Sequence, residues 1–415
     1  MDILLIGNGF DLAHKLPTTY KDFLDFLEKI HPNNYATSPS TILDPFVKNP
    51  SNKDLLNNIK ELCFHNNINN IWYDYFHNKT TSNQNWCDFE KEIEYLVKQL
   101  EIIKAKVDEH RALGLLNANF SDSINLNFLE MAIVNYCKKN SKLLYSLDVR
   151  INQHSINYKG KHYFIILTIG SPNPQFNFEA TIAITTTCNT IFLSFEDIVT
   201  FILKQLEIFT KCFELYLSGI VNELPCPKIS FINNLLDKKD IKLLTFNYTN
   251  TLRNYKQSDN IEVCFIHGEA CKNENDNLVL GIDENSETID PMFTPFRKYF
   301  QRASKECNKN FRKWINDIKS RFRADSVYYN PNLEHNLYVI GHSLTLSDRF
   351  ILNELITLQN MTTTIYYHSD DNRINLMKNL AAILGYQKFS ELIENDFIKF
   401  EEGSFNRTMQ NINPY

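Results

Sequence analysis

The stretch Met1-Asp-Ile-Leu-Leu-Ile-Gly-Asn-Gly-Phe-Asp-Leu-Ala-His-Lys-Leu-Pro-Thr-Thr-Tyr20 decides the fold. Ile3 to Ile6 is a continuous apolar run, the pattern of a strand buried on both faces. It breaks at Gly7-Asn8-Gly9 and then turns helical. A strand, a tight glycine turn and a helix N-terminus make an anion site, because glycines admit close approach and the first helical N–H groups point outward. The strand has no partner nearby, so its neighbours must come from later in the chain.

Later partners exist. From Ile241 the pattern alternates strand and helix. Ile241-Lys-Leu-Leu-Thr-Phe246, Val263-Cys-Phe-Ile266, the short run Leu278-Val-Leu-Gly281, Leu337-Tyr-Val-Ile340 and Thr364-Ile-Tyr-Tyr367 read as strands. Phe296 to about Phe322 reads as one basic amphipathic helix, and Ser347 to Leu358 and Asp371 to Leu384 as two more. Such alternation predicts a parallel sheet with helices on both faces, which the opening strand joins.

Between these parts the pattern differs. Phe23, Leu24, Phe26, Leu27 and Ile30 fall at helical spacing, and the polar stretch from His31 to about Lys53 reads as a loop or linker. Asp54 to Lys142 is helical in pattern, as is Glu196 to Val221. Short β-branched runs near residues 160–195, parted by Gly170-Ser-Pro-Asn-Pro174, predict a small β-hairpin or three-stranded element. The expected organisation is an α/β domain from residues 1–30 and 236–415, with 31–235 as a large, mostly helical insertion carrying the hairpin.

Composition narrows the function classes. Of 415 residues, 43% are hydrophobic and 22% charged, as in ordinary globular proteins. A net charge of −6 argues against broad nucleic-acid binding and leaves only a local basic groove open. The nine cysteines are scattered without a C-x-x-C pair, which predicts reduced thiols and no zinc ribbon. No metal is expected. No apolar run approaches the roughly 20 residues of a membrane helix, and no signal peptide is discernible, so a cytoplasmic protein is the expectation. Glycine is scarce, with 11 in all, yet Gly7, Gly9, Gly268, Gly281 and Gly341 all follow or end apolar runs.

Ligands of open α/β sheets bind at the carboxyl ends of the strands. The residues that follow the strands are therefore the candidates. They are Gly7-Asn8-Gly9-Phe10-Asp11, Asn247-Tyr248-Thr249-Asn250-Thr251, His267-Gly268-Glu269, Gly281-Ile282-Asp283-Glu284 and Gly341-His342-Ser343-Leu344, with Asp348 opening the next helix. Leu12 stands where a dinucleotide fingerprint has its third glycine, and no strand-end acid follows about 20 residues on, which argues against an ordinary dehydrogenase. Thr345 stands where a nucleophile elbow around Ser343 needs glycine. Asn247 is a helix cap or a ligand contact. His267 is a structural histidine or a general base, since imidazole titrates near neutral pH. His14 and His342 read as satisfied or solvated histidines. Asp88 and Glu90 open a helix of the insertion, either as cap and acidic face or reaching the rim. The basic helix, with Arg297, Lys298, Arg302 and Arg312 among its cations, is a solvated face or a phosphate-contacting surface.

The motif Gly7-Asn-Gly-Phe-Asp-Leu-Ala-His-Lys-Leu-Pro-Thr-Thr-Tyr-Lys-Asp-Phe23 resembles the opening of the bacteriophage abortive-infection AbiH family. Trp86-x-Asp-Phe-Glu90, Phe246-Asn-Tyr-Thr-x-Thr-Leu252, Ile266-His-Gly268 and Gly341-His-Ser-Leu-x-x-Ser-Asp348 resemble it too, in the expected order. Lys15 departs from the family's usual glycine. AbiH is in turn similar, more distantly, to sirtuin-like NAD-binding domains. Gly7-x-Gly9 with Leu16-Pro17 resembles the sirtuin glycine turn. Phe246-Asn247-Tyr248 resembles its ribose-contacting segment, His267-Gly268 its catalytic pair, and Gly341-x-Ser343-Leu344 its adenosine segment. Thr249 stands where an acid is often found.

The resemblance implies a Rossmann-like, sirtuin-like α/β fold and an antiphage effector that binds NAD and hydrolyses it. Without the four-cysteine zinc module of sirtuin deacetylases, protein deacylation is not implied. Catalysis would fall to Asn247, His267 and Asp11. NAD, as substrate or ligand, would be held by Gly7, Asn8, Gly9, Phe10, Gly268, Gly341, His342, Ser343 and Asp348. The alternatives are an RNase-like effector using the basic helix with Asp11, Asp88 and Glu90, and a nucleotide-sensing module without catalysis. Beyond a nucleotide ligand, the expected partners are a phage trigger or a host protein, with self-association left open.

Overall fold

A computed structural model describes residues 1–32, 43–65, 68–81, 88–112, 127–140, 151–152, 155–158, 161–169, 180–186, 190–236, 241–255, 261–271, 277–282, 290–307, 309–324, 326–330 and 332–403. The chain opens with β1 (Asp2–Ile6), α1 (Asn8–Ala13) and α2 (Tyr20–Ile30). The insertion adds α3 (Asp44–Lys48), α4 (Lys53–Cys63), α5 (Ile71–Thr81), α6 (Phe89–Ala112) and α7 (Asn127–Asn140). Next come β2 (Ile151–Asn152), β3 (Ser155–Tyr158), β4 (Lys161–Ile169), β5 (Ala180–Thr186) and β6 (Thr190–Ser194). The helices α8 (Phe195–Gly219) and α9 (Ser230–Leu236) lead back to β7 (Ile241–Thr245) and β8 (Val263–Phe265). Then follow α10 (Lys298–Ser304), α11 (Lys309–Arg321), β9 (His335–Ile340), α12 (Arg349–Ile356), β10 (Met361–Tyr367), α13 (Asp370–Leu384), α14 (Tyr386–Glu394) and β11 (Ile398–Glu402).

Two sheets result. Six strands form a parallel sheet in the order β11-β10-β9-β1-β7-β8. Counted within that sheet, this is the strand order 3-2-1-4-5-6 of doubly wound dinucleotide folds, with the switch point between β1 and β9. The fold is Rossmann-like α/β with a helical insertion. β1 lies in the middle, paired residue for residue with β7 and β9, more than 230 positions later. Its side chains alternate: Ile3 and Leu5 face one core with Trp314 and Ile351, while Leu4 and Ile6 face another with Ile232 and Leu235. Both faces are covered, so a continuous apolar run is what the strand needs. A third core ties α2 to α4, α5, α6 and α8 through rings such as Phe23, Phe76, Phe89, Phe209 and Tyr216.

Several expectations need correction. The hairpin is larger than predicted, since β2 to β6 form a five-stranded antiparallel sheet. The stretch read as a loop carries α3 after residue 43. Leu278 to Gly281 is not a strand. It is buried, and instead of a ladder it runs between Val279 N–H on the His267 carbonyl and Leu280 N–H on Gln301 Oε1. The single basic helix is two, α10 and α11, and Glu306 between them takes a positive φ of 57°. The edge strand β11 went unpredicted, because Ile398-Lys-Phe-Glu-Glu402 carries charges that suit an edge but hide the strand pattern. Trp86, Cys87, Asp283, Glu284 and the Gly170–Pro174 turn lie outside the described residues.

Candidate functional site

The two turns at the switch point are pressed together backbone on backbone. Gly9 N–H donates to the Gly341 carbonyl at 2.8 Å, and Gly7 N–H to Ile340 at 3.1 Å. Gly341 takes φ +65°, and a Cβ there would lie 2.2 Å from the Phe10 nitrogen. All five glycines singled out in the sequence share this crowding: an added Cβ would meet another atom at 2.0–2.9 Å. With Phe10 N–H donating to Gly7, three of the four amides from Gly7 to Phe10 are spent inside the protein. The amide of exposed Asn8, whose side chain accepts from Thr18, is the one left for an anion. Phe10 itself is buried against the His14 ring.

Asp11 is buried one turn into α1. It accepts from the hydroxyls of Thr249 and Thr251, the latter at 2.6 Å. Burial raises its pKa to about 6, against the lowering effect of those bonds. Asn247, also buried, donates to the Gly7 carbonyl at 3.0 Å. Together these side chains bolt the turn after β7 onto the turn after β1. Thr249, where the sirtuin-like pattern often has an acid, supplies a donor to the acid of α1 instead. His14 is satisfied: Nδ1 donates to the Phe10 carbonyl, and Nε2 accepts from the Tyr255 hydroxyl at 2.6 Å.

A second cluster lies beyond the ends of β8 and β9. His267 is buried, its Nε2 3.1 Å from Asp348 Oδ1. Its Nδ1 is buried without a hydrogen-bond partner. Burial, reinforced by the Lys298 cation, lowers the His267 pKa to about 4. The ring is therefore neutral at pH 7. Asp348 is well below its ordinary value; burial opposes ionisation, and Lys298 and His267 overcome it. A carboxylate facing Nε2 fixes the tautomer: Nε2 carries the proton and Nδ1 presents its lone pair. His342 accepts the Leu344 N–H on Nδ1 and turns its Nε2 toward Asp348 Oδ2, 3.6 Å away.

The insertion closes this cluster. Lys298, whose side chain is 1% exposed, donates to Glu90 of α6 at 2.7 Å and to Asp348 at 3.2 Å. Burial works against its charge, yet the two carboxylates raise its pKa. Burial raises Glu90 to about 7, with Lys298 opposing. Tyr248 donates to the Val279 carbonyl beside His267, and Tyr20 of α2 stacks on Phe89 at the start of α6. Glu90 thus reaches the rim. Asp88 caps α6 through the Glu90 N–H and pairs with Lys91. Ser343 lies apart from the cluster, its carbonyl bonded to Asn379. A cavity of about 290 Å³ opens on the other side of Gly268, lined among others by Asn250, Arg253, Glu269 and Cys271.

Tyr20 is not among the candidates that the sequence offers, and Lys298 is there only as one cation of a basic face. In α10 the usual pattern is inverted: Lys298 and Arg302, one turn apart, are buried, while Tyr299 and Phe300 are 39% and 41% exposed. Arg297 is also buried and meets Glu101, and in α11 Arg312 and Lys319 both pair with Glu354. Among the described residues, no group of three or more His, Cys, Asp or Glu is placed to hold a metal, and no helix is long and apolar enough to cross a membrane.

The family profile described as bacteriophage abortive infection AbiH matches residues 3–368, nearly nine-tenths of the chain. The protein belongs to the AbiH family. That membership assigns it a role in abortive infection by bacteriophage. The matched span runs from β1 to the end of β10, so it includes both clusters and the whole insertion of this AbiH protein. No curated protein and no solved structure matches the chain.

Proposed function

We propose that this AbiH protein is an effector that cleaves NAD to nicotinamide and ADP-ribose at the carboxyl rim of its parallel sheet. The observation that carries the reading is His267: a buried neutral imidazole, oriented by Asp348, with its Nδ1 lone pair unengaged. It stands at the rim of a sheet with dinucleotide strand order. The sirtuin-like resemblance of the same segments supplies the substrate.

In this reading the bond between C1′ of the ribose and the nicotinamide nitrogen breaks, and its electron pair leaves with neutral nicotinamide. Water attacks C1′ and gives its proton to His267 Nδ1. The Asp348 carboxylate stabilises the imidazolium so formed. Asn247 and Asp11 hold the two turns in register rather than touching the reacting bond. The free Asn8 amide and the N-terminus of α1 receive the pyrophosphate. His267 is 3% exposed, so substrate reaches it only when the Tyr248 ring and the Glu90–Lys298 pair move aside. The closed form is the resting form, and the trigger of infection opens it.

The test is nicotinamide release by the purified protein, together with NAD content of infected cells expressing it. Wild type depletes NAD and His267→Gln does not, a difference of roughly 10²–10⁴-fold for loss of a general base. Undiminished NAD in wild-type cells that abort the infection overturns the reading.

A further inference from the structure

We infer that Lys298 is a positioning residue that ties the helical insertion to the His267–Asp348 pair through Glu90. The inference rests on the reading of His267 as the base. Three elements distant in sequence meet in one buried ion cluster: Glu90 from the start of α6, Lys298 from the start of α10, and Asp348 from the turn after β9. Lys298 Nζ and His267 Nε2 approach the same oxygen, Asp348 Oδ1, at 3.2 and 3.1 Å. Nζ also lies 3.5 Å from the Ser347 carbonyl. One carboxylate oxygen that serves both a cation and an imidazole makes the position and basicity of the imidazole depend on the cation.

The insertion therefore has a handle on the base. The groups facing His267 are Asp348, Lys298 and Arg302, with the Phe246 and Tyr248 rings against it. His342 and Glu90 stand one contact further out, on Asp348 and Lys298. Of these, Lys298 bridges to the insertion through an ion pair with Glu90. While Glu90 holds it, the cation stays beside His267 and keeps the imidazole weakly basic. When α6 moves off, Glu90 draws Lys298 away from Asp348, and His267 is left with Asp348 and becomes a stronger base. Opening the site and activating the base become one event.

The experiment is an ¹⁵N NMR titration of the histidine rings in the full chain between pH 5 and 8, with His267 assigned by loss of its signal in His267→Gln. In wild type and in Lys298→Arg, His267 stays neutral across that range. In Lys298→Met its titration midpoint moves up into that range. Because Lys298→Met leaves two buried carboxylates without their cation, the double variant Lys298→Gln with Glu90→Gln, which keeps a neutral hydrogen-bonded pair, is measured too and gives the same upward shift. A folded double variant whose His267 titrates as in wild type overturns the proposal. Should the double variant not fold, Lys298→Met decides, and an unshifted His267 there overturns the proposal. NAD turnover is recorded separately: a shifted titration without turnover refutes the reaction and leaves the coupling, whereas turnover with an unshifted titration refutes the coupling.

Discussion

Two aspartates lie buried at the same rim, and their surroundings drive them in opposite directions. Asp11 has two threonine hydroxyls and an asparagine, but no cation, and burial lifts its pKa to about 6. Asp348 has Lys298 and two imidazoles and sits well below its ordinary value. Burial opposes ionisation in both; the cation decides. The difference separates a fastener from a charged site. The first cluster joins α1 to the turn after β7 and stores no charge it needs. The second holds an ion cluster whose members come from three parts of the chain and leaves one imidazole nitrogen unengaged.

The largest contrast to test is removal of each carboxylate. Asp348→Asn leaves Lys298 with Glu90 alone and costs about 3–5 kcal/mol in chemical denaturation, as for a broken buried ion pair. Asp11→Asn costs less, about 1–2 kcal/mol at pH 7, since no cation is left unpaired and one amide oxygen remains to accept from the threonine hydroxyls. Equal losses would erase the distinction between the two clusters.

The glycine seam beside both clusters comes next. Gly341→Ala forces a Cβ onto the Phe10 nitrogen at positive φ and costs at least about 1–3 kcal/mol. It should loosen the Asp11 side, where α1 packs, as much as the Asp348 side, and hydrogen exchange at the Gly9 amide reports it. Unchanged protection there would show that the two turns are not mechanically joined.

A smaller effect appears in pH dependence. The folded pKa of Asp11 lies above its ordinary 3.8, so its stabilisation is full below that value and is lost as pH rises through about 6. The folded pKa of His267, about 4, lies below its ordinary 6.5, so its stabilisation is full above 6.5 and is lost as pH falls toward 4. Between pH 4 and 6 the two oppose each other. Asp11→Asn makes Tm climb more steeply with pH over that window than in wild type, and His267→Gln makes it climb less. Identical slopes in both variants would contradict the assignment.

The smallest effect concerns Lys15. Its φ is 60°, the left-handed region that glycine enters without cost. Lys15→Gly should stabilise by about 0.5 kcal/mol, the relief of strain minus the added freedom of the unfolded chain. A loss of stability would mean that the lysine side chain compensates for the strain.

Much of the sheet was legible because burial on both faces leaves an uninterrupted apolar run, as in Ile3–Ile6 and Leu337–Ile340. His267 and Asp348 were legible as strand-end and helix-start residues. Their mutual contact was not, since 80 positions separate them and only the fold sets their distance. Lys298 was hidden for a different reason. A lysine in a run of cations reads as a solvated face, and only the carboxylates of Glu90 and Asp348, invisible locally, draw it inward. Leu278–Gly281 misled because burial without alternation is shared by strands and by irregular segments held through side-chain bonds such as Gln301.

The central position of β1 has a consequence for synthesis. Its two neighbours are residues 241–245 and 335–340, so the strand leaves the ribosome long before either exists. At roughly 5–20 residues per second, the wait for β9 is on the order of 15–70 seconds. Throughout that interval neither the glycine seam nor the His267–Asp348 pair can form, because Gly341 and Asp348 are still untranslated. Both clusters at the rim are thus absent from the nascent chain and are completed only when the sheet closes around β1.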